Sequence, residues 1–188
     1  MAPVIFLDRD GVINQDSPDY IKTPGEFHFI PRSPEAIALL TRSGFDTILI
    51  TNQSAVGRKM VTPATLDAIF DKMRQGVEAA GGRIRDIFFC PHRPDEGCSC
   101  RKPRPGMIQA AAARYGIDVN ASVMVGDSAK DIECGRAAGC GTTILVATGN
   151  GRKALAELAD RGIEPDVFAD DLYHAAQWIA ANIGVPED

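Results

Sequence analysis

The 188-residue chain has no surplus of positive charge: 20 Lys and Arg stand against 25 Asp and Glu, a net charge of −5. A field of that sign does not gather nucleic acid or an anionic membrane surface. A phosphorylated ligand would therefore need local cations or a metal. No apolar run approaches the roughly 18–20 residues that cross a bilayer. No basic n-region precedes a long apolar stretch, because Val4–Leu7 is short and runs straight into charge. The expectation is a cytoplasmic protein without nucleic-acid or membrane partners. Repeats, low-complexity tracts and linkers are also missing, and no heptad or extra apolar stripe stands out. A monomer with one domain over residues 1–188 is expected, large enough to bury a core.

What is present alternates between short apolar runs and helical patterns. Strands are expected at 4–7, 47–50, 84–90, 122–125 and 142–146, with a short extended piece near Val167-Phe168. Helices are expected over 34–43, 63–80, 105–115, from Asp127 to about 138, and over 151–161 and 171–182. Ser33 before Pro34 reads as an N-cap, and Thr62-Pro63 as the opening of the next helix. Gly44 and Gly81-Gly82 read as stops. Such β-α-β-α alternation implies an α/β fold, a Rossmann-like doubly wound parallel sheet with helices on both faces. The connections are too short for a separate lid, except residues 11–32, which have the length of a small flap.

In open parallel sheets, ligands bind beyond the carboxyl ends of the strands. The first strand ends at Asp8 and Asp10, the second at Thr51-Asn52, and the fourth at Asp127 with Asp131 one turn later. Carboxylates that converge there repel one another unless a cation lies between them, and hard oxygen ligands suit magnesium. A carboxylate can also be a covalent nucleophile, and a second acid can serve the leaving group and then water. Each piece alone has a plainer reading. Asp8-Arg9-Asp10-Gly11 makes an ordinary turn, Thr51-Asn52 a cap, Asp131 a first-turn acid, and Lys102 a solvated charge.

The five cysteines are an odd number, and three fall within eleven residues. Cys90, His92, Cys98 and Cys100 read C-x-H-x5-C-x-C, three sulfurs and one imidazole, a closed structural zinc shell in loop 90–100. The plainer reading is a loop of unliganded thiols. The loop ends directly before Arg101-Lys102, so zinc is expected to fix the segment that presents those cations. Cys134 and Cys140 read as core thiols, and His28 and His174 as structural or surface residues.

Taken in order, four segments resemble the motifs of the haloacid dehalogenase-like phosphatases. Asp8-Arg9-Asp10-Gly11-Val12 is similar to D-x-D-G-[TV], Ile50-Thr51-Asn52-Gln53 to the second motif, and Arg101-Lys102-Pro103 to the third. Gly126-Asp127-Ser128-Ala129-Lys130-Asp131 is similar to the fourth, G-D-x-x-x-D. The resemblance spans nearly the whole chain. It implies Asp8 as nucleophile and Asp10 as general acid/base. It implies magnesium held by Asp8, Asp10 (through its carbonyl) and Asp127. Thr51 and Lys102 would bind the transferring phosphoryl group, with Asp131 in support.

Within that family, the cysteine loop with C-R-K-P resembles the D-glycero-D-manno-heptose 1,7-bisphosphate 7-phosphatases, which serve cell-envelope glycans. Histidinol-phosphate phosphatase is the alternative. The resemblance places substrate contacts at Asp8, Arg9, Asp10, Asp16, Asp19, Thr51, Asn52, Gln53, Ser54, Arg101 and Lys102. The segment Gln15-Asp16-Ser17-Pro18-Asp19-Tyr20 is less glycine-rich than in some relatives of this kind, and leaves individual flap contacts open.

Overall fold

A computed structural model describes residues 3–184. Strand β1 (Val4–Leu7) is buried along its whole length. It pairs in parallel with β2 (Asp46–Asn52) on one side and β4 (Val123–Gly126) on the other. With β3 (Asp86–Cys90), β5 (Thr142–Val146) and β6 (Val167–Ala169), the sheet runs β3-β2-β1-β4-β5-β6, parallel throughout. The chain order reverses between β1 and β4, so a crevice opens past their carboxyl ends, where Asp8 and Asp127 stand.

Alternation along each strand divides the core. Ile5, Leu7, Leu49 and Val125 face one layer of helices: α1 (Ser33–Arg42), α3 (Pro63–Ala79) and α7 (Leu172–Asn182). Val4, Phe6, Ile48 and Met124 face the other way, onto α4 (Gly106–Tyr115) and Cys134 of α5 (Ala129–Ala138). A smaller cluster joins α5 to α6 (Gly151–Asp160) through Ile132, Leu145 and Leu158. Both strand faces are covered, which is why these strands are apolar runs rather than half-polar stripes.

Some boundaries differ from the sequence reading. Ser33 does not cap α1. It is the first helical residue, preceded by Arg32 in a left-handed conformation, and its hydroxyl donates to the Ile13 carbonyl at 2.6 Å. A tertiary partner has taken the side chain that local rules assign to a cap. Thr62 does cap α3, accepting from Thr65 N at 3.1 Å. Pro105 precedes α4 rather than opening it. Strand β3 starts at Asp86, two residues later than expected, and the extended piece at Val167 is a full sheet strand on β5. A short helix, α2 (Ser54–Gly57), was not expected.

The stretch 11–32 is anchored in the core at several points. Val12, Ile13, Ile21, Phe27 and Ile30 are buried. Gln15 N bonds His28 O at 2.9 Å and Ile30 N bonds Ile13 O at 2.9 Å, which zips the two arms together. Lys72 of α3 donates to Pro24 O at 2.6 Å and Phe27 O at 2.9 Å. The tip of this stretch borders the crevice through Asp16, Ser17, Pro18, Tyr20 and Ile21. Cys134 is buried and Cys140 half-buried, and burial pushes both thiols up to about 12, as expected of packed, inert sulfur. His28 and His174 are exposed. No described helix is long and apolar enough to cross a membrane.

Candidate active site

Asp8 leaves β1 with its backbone N–H still bonded to Val125 O at 3.0 Å, so the sheet ladder fixes its position. Lys102 lies between two carboxylates: its Nζ is 2.9 Å from Asp8 Oδ1 and 2.6 Å from Asp131 Oδ1. The second Asp131 oxygen accepts from Ser128 N (3.0 Å) and Ser128 Oγ (2.7 Å), a capping box on α5. Both oxygens of Asp131 are therefore occupied, one by Lys102 and one by Ser128. Burial works against the Lys102 charge, yet Asp131 and Asp8 outweigh it and hold the ammonium above its usual range.

Asp8, Asp127 and Asp131 each bring a carboxylate oxygen within 4.8 Å of the others. Burial pushes Asp8 up to about 7, with the Asp131 and Asp10 charges adding to it and Lys102 opposing. Burial likewise pushes Asp127 up to about 8, aided by the charges of Asp131 and Asp8. One lysine does not balance this crowd. An all-oxygen donor set with excess negative charge, open to a cleft on one side, fits a hard divalent cation that keeps water and substrate ligands.

Asp10 is treated differently. Burial opposes its ionisation, but the Arg9 charge and bonds from Arg9, Asn14 and Gln53 outweigh it, so its pKa falls below the ordinary value. The Arg9 fork reaches Asp10 Oδ1 at 2.7 Å and Oδ2 at 2.9 Å. Asn14 Nδ2 and Gln53 Nε2 each add a bond of 2.9 Å. The two neighbouring acids are thereby pushed in opposite directions, Asp8 upward by burial and Asp10 downward by Arg9.

The third motif is fastened to the second by a reciprocal pair. Lys102 N donates to Asn52 Oδ1 at 3.1 Å, and Asn52 Nδ2 donates to Lys102 O at 3.2 Å. Asp16, Asn52, Gln53, Ser54 and Arg101 face a cleft of about 450 Å³ that also holds the acids. Arg9 borders it, but its side chain is 1% exposed and spent on Asp10. Thr51 is buried under Gln53, which donates to its hydroxyl at 2.9 Å, and does not line the cleft. Asp19 lies in a separate groove beside Lys22 and His28. The sequence reading overlooked Thr148, Gly149, Asn150 and Lys153. They follow β5, and the rule that ligands gather at strand ends points there as well.

In the cysteine loop, the Cys90, His92, Cys98 and Cys100 ligand atoms also lie within 4.8 Å of one another. Cys90 Sγ is 3.6 Å from Cys98 Sγ and 3.5 Å from His92 Nδ1, while Cys100 Sγ is 3.5 Å from Cys98 Sγ and 3.1 Å from Cys90 Sγ. Ligands about 2.3 Å from a tetrahedral zinc stand roughly 3.8 Å apart, so the four atoms are arranged as the corners of such a shell. The loop is tied to the active site at three points. Gln53 N bonds Cys90 O at 2.7 Å, Gly57 N bonds Pro91 O at 3.1 Å, and Arg101 donates to His92 O at 3.1 Å.

A doubly wound parallel sheet with four acids and a clamped lysine at its switch point defines a phosphohydrolase of the haloacid dehalogenase-like class. Agreeing with this, the HAD-hydrolase-like family model matches residues 99–175. A D-glycero-β-D-manno-heptose-1,7-bisphosphate 7-phosphatase of Bordetella bronchiseptica is 49% identical over 154 residues, 82% of this chain and 86% of that protein. One from Pseudomonas aeruginosa is 45% identical, over 90% of this chain and 93% of its own. The crystal structure of the D,D-heptose 1,7-bisphosphate phosphatase of B. bronchiseptica, complexed with magnesium and phosphate, superposes with a TM-score of 0.89. It is 44% identical and covers 95% of this chain and 98% of its own. The chain belongs to the D-glycero-D-manno-heptose-1,7-bisphosphate 7-phosphatase family, and is a phosphoric monoester hydrolase. These relatives favour the heptose reading over histidinol phosphate.

Proposed function

We propose that this enzyme removes the 7-phosphate of D-glycero-β-D-manno-heptose 1,7-bisphosphate, in the making of heptose for cell-envelope glycans, through a phosphoryl group carried on Asp8. The observation that carries the reading is Asp8 itself. It is a carboxylate at the switch point of the sheet, in contact with a buried lysine, beside Asp127 and at the floor of an open cleft. The β anomer is chosen because the similar relatives of Bordetella and Pseudomonas bear that name.

Asp8 attacks phosphorus, the bond to the sugar oxygen breaks, and an aspartyl phosphate forms. Lys102 balances charge on the phosphoryl oxygens, and Asp131 holds it there. Magnesium, held by Asp8, the Asp10 carbonyl and Asp127, would draw charge from the same oxygens. Asp10 gives a proton to the leaving oxygen, then takes one from the water that cleaves the aspartyl phosphate. Its ion pair with Arg9 favours the base form, so loading it with a proton is the demanding half of the cycle. The Asn52–Ser54 segment shapes the phosphoryl pocket, with Thr51 behind it holding Gln53 in place, and Arg101, braced by His92, meets the distal part of the substrate together with Asp16. Asp19 belongs to the flap that borders this region.

The work falls to one domain over residues 1–188, with a flap near 11–32 and zinc as a structural metal in loop 90–100. It acts as a cytoplasmic monomer on a small phosphorylated substrate.

The test is a set of initial rates with magnesium on the β and α heptose bisphosphates and on histidinol phosphate. The β bisphosphate is expected to be fastest. Turnover of histidinol phosphate faster by orders of magnitude would sink the reading.

A further inference from the structure

The loop between β5 and α6 holds a residue that no motif covers. Asn150 stands at the N-cap position of α6, where an asparagine side chain ordinarily accepts a bond from the first turn of the helix. Here it makes no such bond. Its backbone N–H donates to Asp127 Oδ2 at 2.8 Å, and its side-chain amide donates to the same oxygen at 3.3 Å. That amide is also 3.3 Å from Asp16 Oδ2, on the flap tip. One residue thus touches both an acid of the metal-binding cluster and the segment that borders the cleft.

The surroundings leave Asp127 little freedom. A Cβ on Gly149 would stand 2.2 Å from Asp127 Oδ2, and one on Gly11 would stand 2.1 Å from it. Both glycines have positive φ, +57° and +79°. Thr148 Oγ1 donates to Gly11 O at 2.7 Å and joins the two turns. The carboxylate therefore sits in a cage of two glycine turns whose side-chain donor is Asn150.

We propose that Asn150 is a positioning residue, which orients Asp127 for magnesium and couples the flap tip to the metal site through Asp16. The inference rests on the reading of Asp127 as a magnesium ligand. With Oδ2 held by Asn150, the other oxygen is left for the ion, and outer partners of this kind set the affinity of a metal site. Because the amide is shared with Asp16, fixing Asp127 also fixes the flap over the substrate.

Magnesium affinity measured by calorimetry without substrate, and hydrogen exchange of residues 15–19 with and without magnesium, test this on the full chain. In the native protein, magnesium binds and slows exchange at the flap tip. In Asn150→Ala, affinity falls about ten-fold, and magnesium no longer protects the tip. Asp16→Ala abolishes the protection with little change in affinity, and adding it to Asn150→Ala changes nothing further at the tip. The α6 helix keeps its stability, since no cap bond is lost. A variant that melts earlier but binds magnesium as tightly as the native protein would reduce Asn150 to a structural residue and overturn the proposal. Native protein that binds no magnesium would overturn the reading of Asp127 beneath it as well.

Discussion

The carboxylate cluster and the cysteine loop each gather four or more polar groups at one point, but they are built on opposite plans. The cysteine shell draws all its ligands from residues 90–100 and closes on itself, leaving no position for a substrate. The carboxylates come from two chain regions more than a hundred residues apart, and a third supplies Lys102. They remain open to a cleft on one side. In the first, three sulfurs and an imidazole complete a shell that could hold zinc as a staple. In the second, excess negative charge is left for a cation to satisfy. The difference teaches that clustering alone does not mark a reactive site. An incomplete shell does, because it can accept something more.

The sharpest break between the two regions is at Asp8. In Asp8→Asn, turnover should fall by at least about 10³-fold while zinc content and melting temperature hold, since a like charge has been removed from a crowded cluster. Initial rates and a thermal melt measure both. Loss of folding without loss of rate per folded molecule would reverse the assignment.

Lys102→Ala should lose comparable activity and, unlike Asp8→Asn, stability as well. Asp131 has no exposure and would be left unpaired, a loss of about 3–5 kcal/mol. Denaturant titration should show Lys102→Ala/Asp131→Asn recovering part of that stability without recovering turnover.

Cys98→Ser, or chelation, tests the other region. One zinc per chain should be lost by elemental analysis, and the melting temperature should fall. Turnover should fall by roughly ten-fold, because the loop braces Arg101 and Gln53 from behind. Unchanged rates in zinc-free protein would separate the two regions altogether.

The smallest expected effect is the pH dependence of stability without metal. Asp8 and Asp127 are raised to about 7 and about 8, so the folded state binds more protons than the unfolded one between roughly pH 4 and 8. Stability should therefore decline as pH rises through that window. Asp10, with its lowered value, works the other way. Its contribution is present above the ordinary carboxylate range and is lost as pH falls through its folded pKa. Magnesium bound as proposed would displace the protons on Asp8 and Asp127, so its stabilising shift in melting temperature should be larger at pH 8 than at pH 5. Equal shifts at the two pH values would argue against those acids as its ligands.

Much of this was readable from the chain. Alternation of short apolar runs with helical patterns implied a parallel sheet, because strands covered on both faces need no polar stripe. The cysteine shell was readable because its ligands are neighbours in sequence and little chain entropy opposes their meeting. The places of Asp8 and Asp10 just past a strand end were readable too, while the roles proposed for them and for Lys102 rest on the resemblance of four short segments to family motifs. Other features depend on groups distant in sequence. Burial of Arg9 against Asp10, the withdrawal of Thr51 behind Gln53, the Asn52–Lys102 pair across fifty residues and the grip of Asn150 on Asp127 are packing outcomes. So is Ser33, which abandoned its helix cap for the Ile13 carbonyl. Local spacing determines which residues stand at the ends of elements. Which oxygen each donor then meets is decided when the sheet brings those ends together and burial forces every polar atom to find a partner.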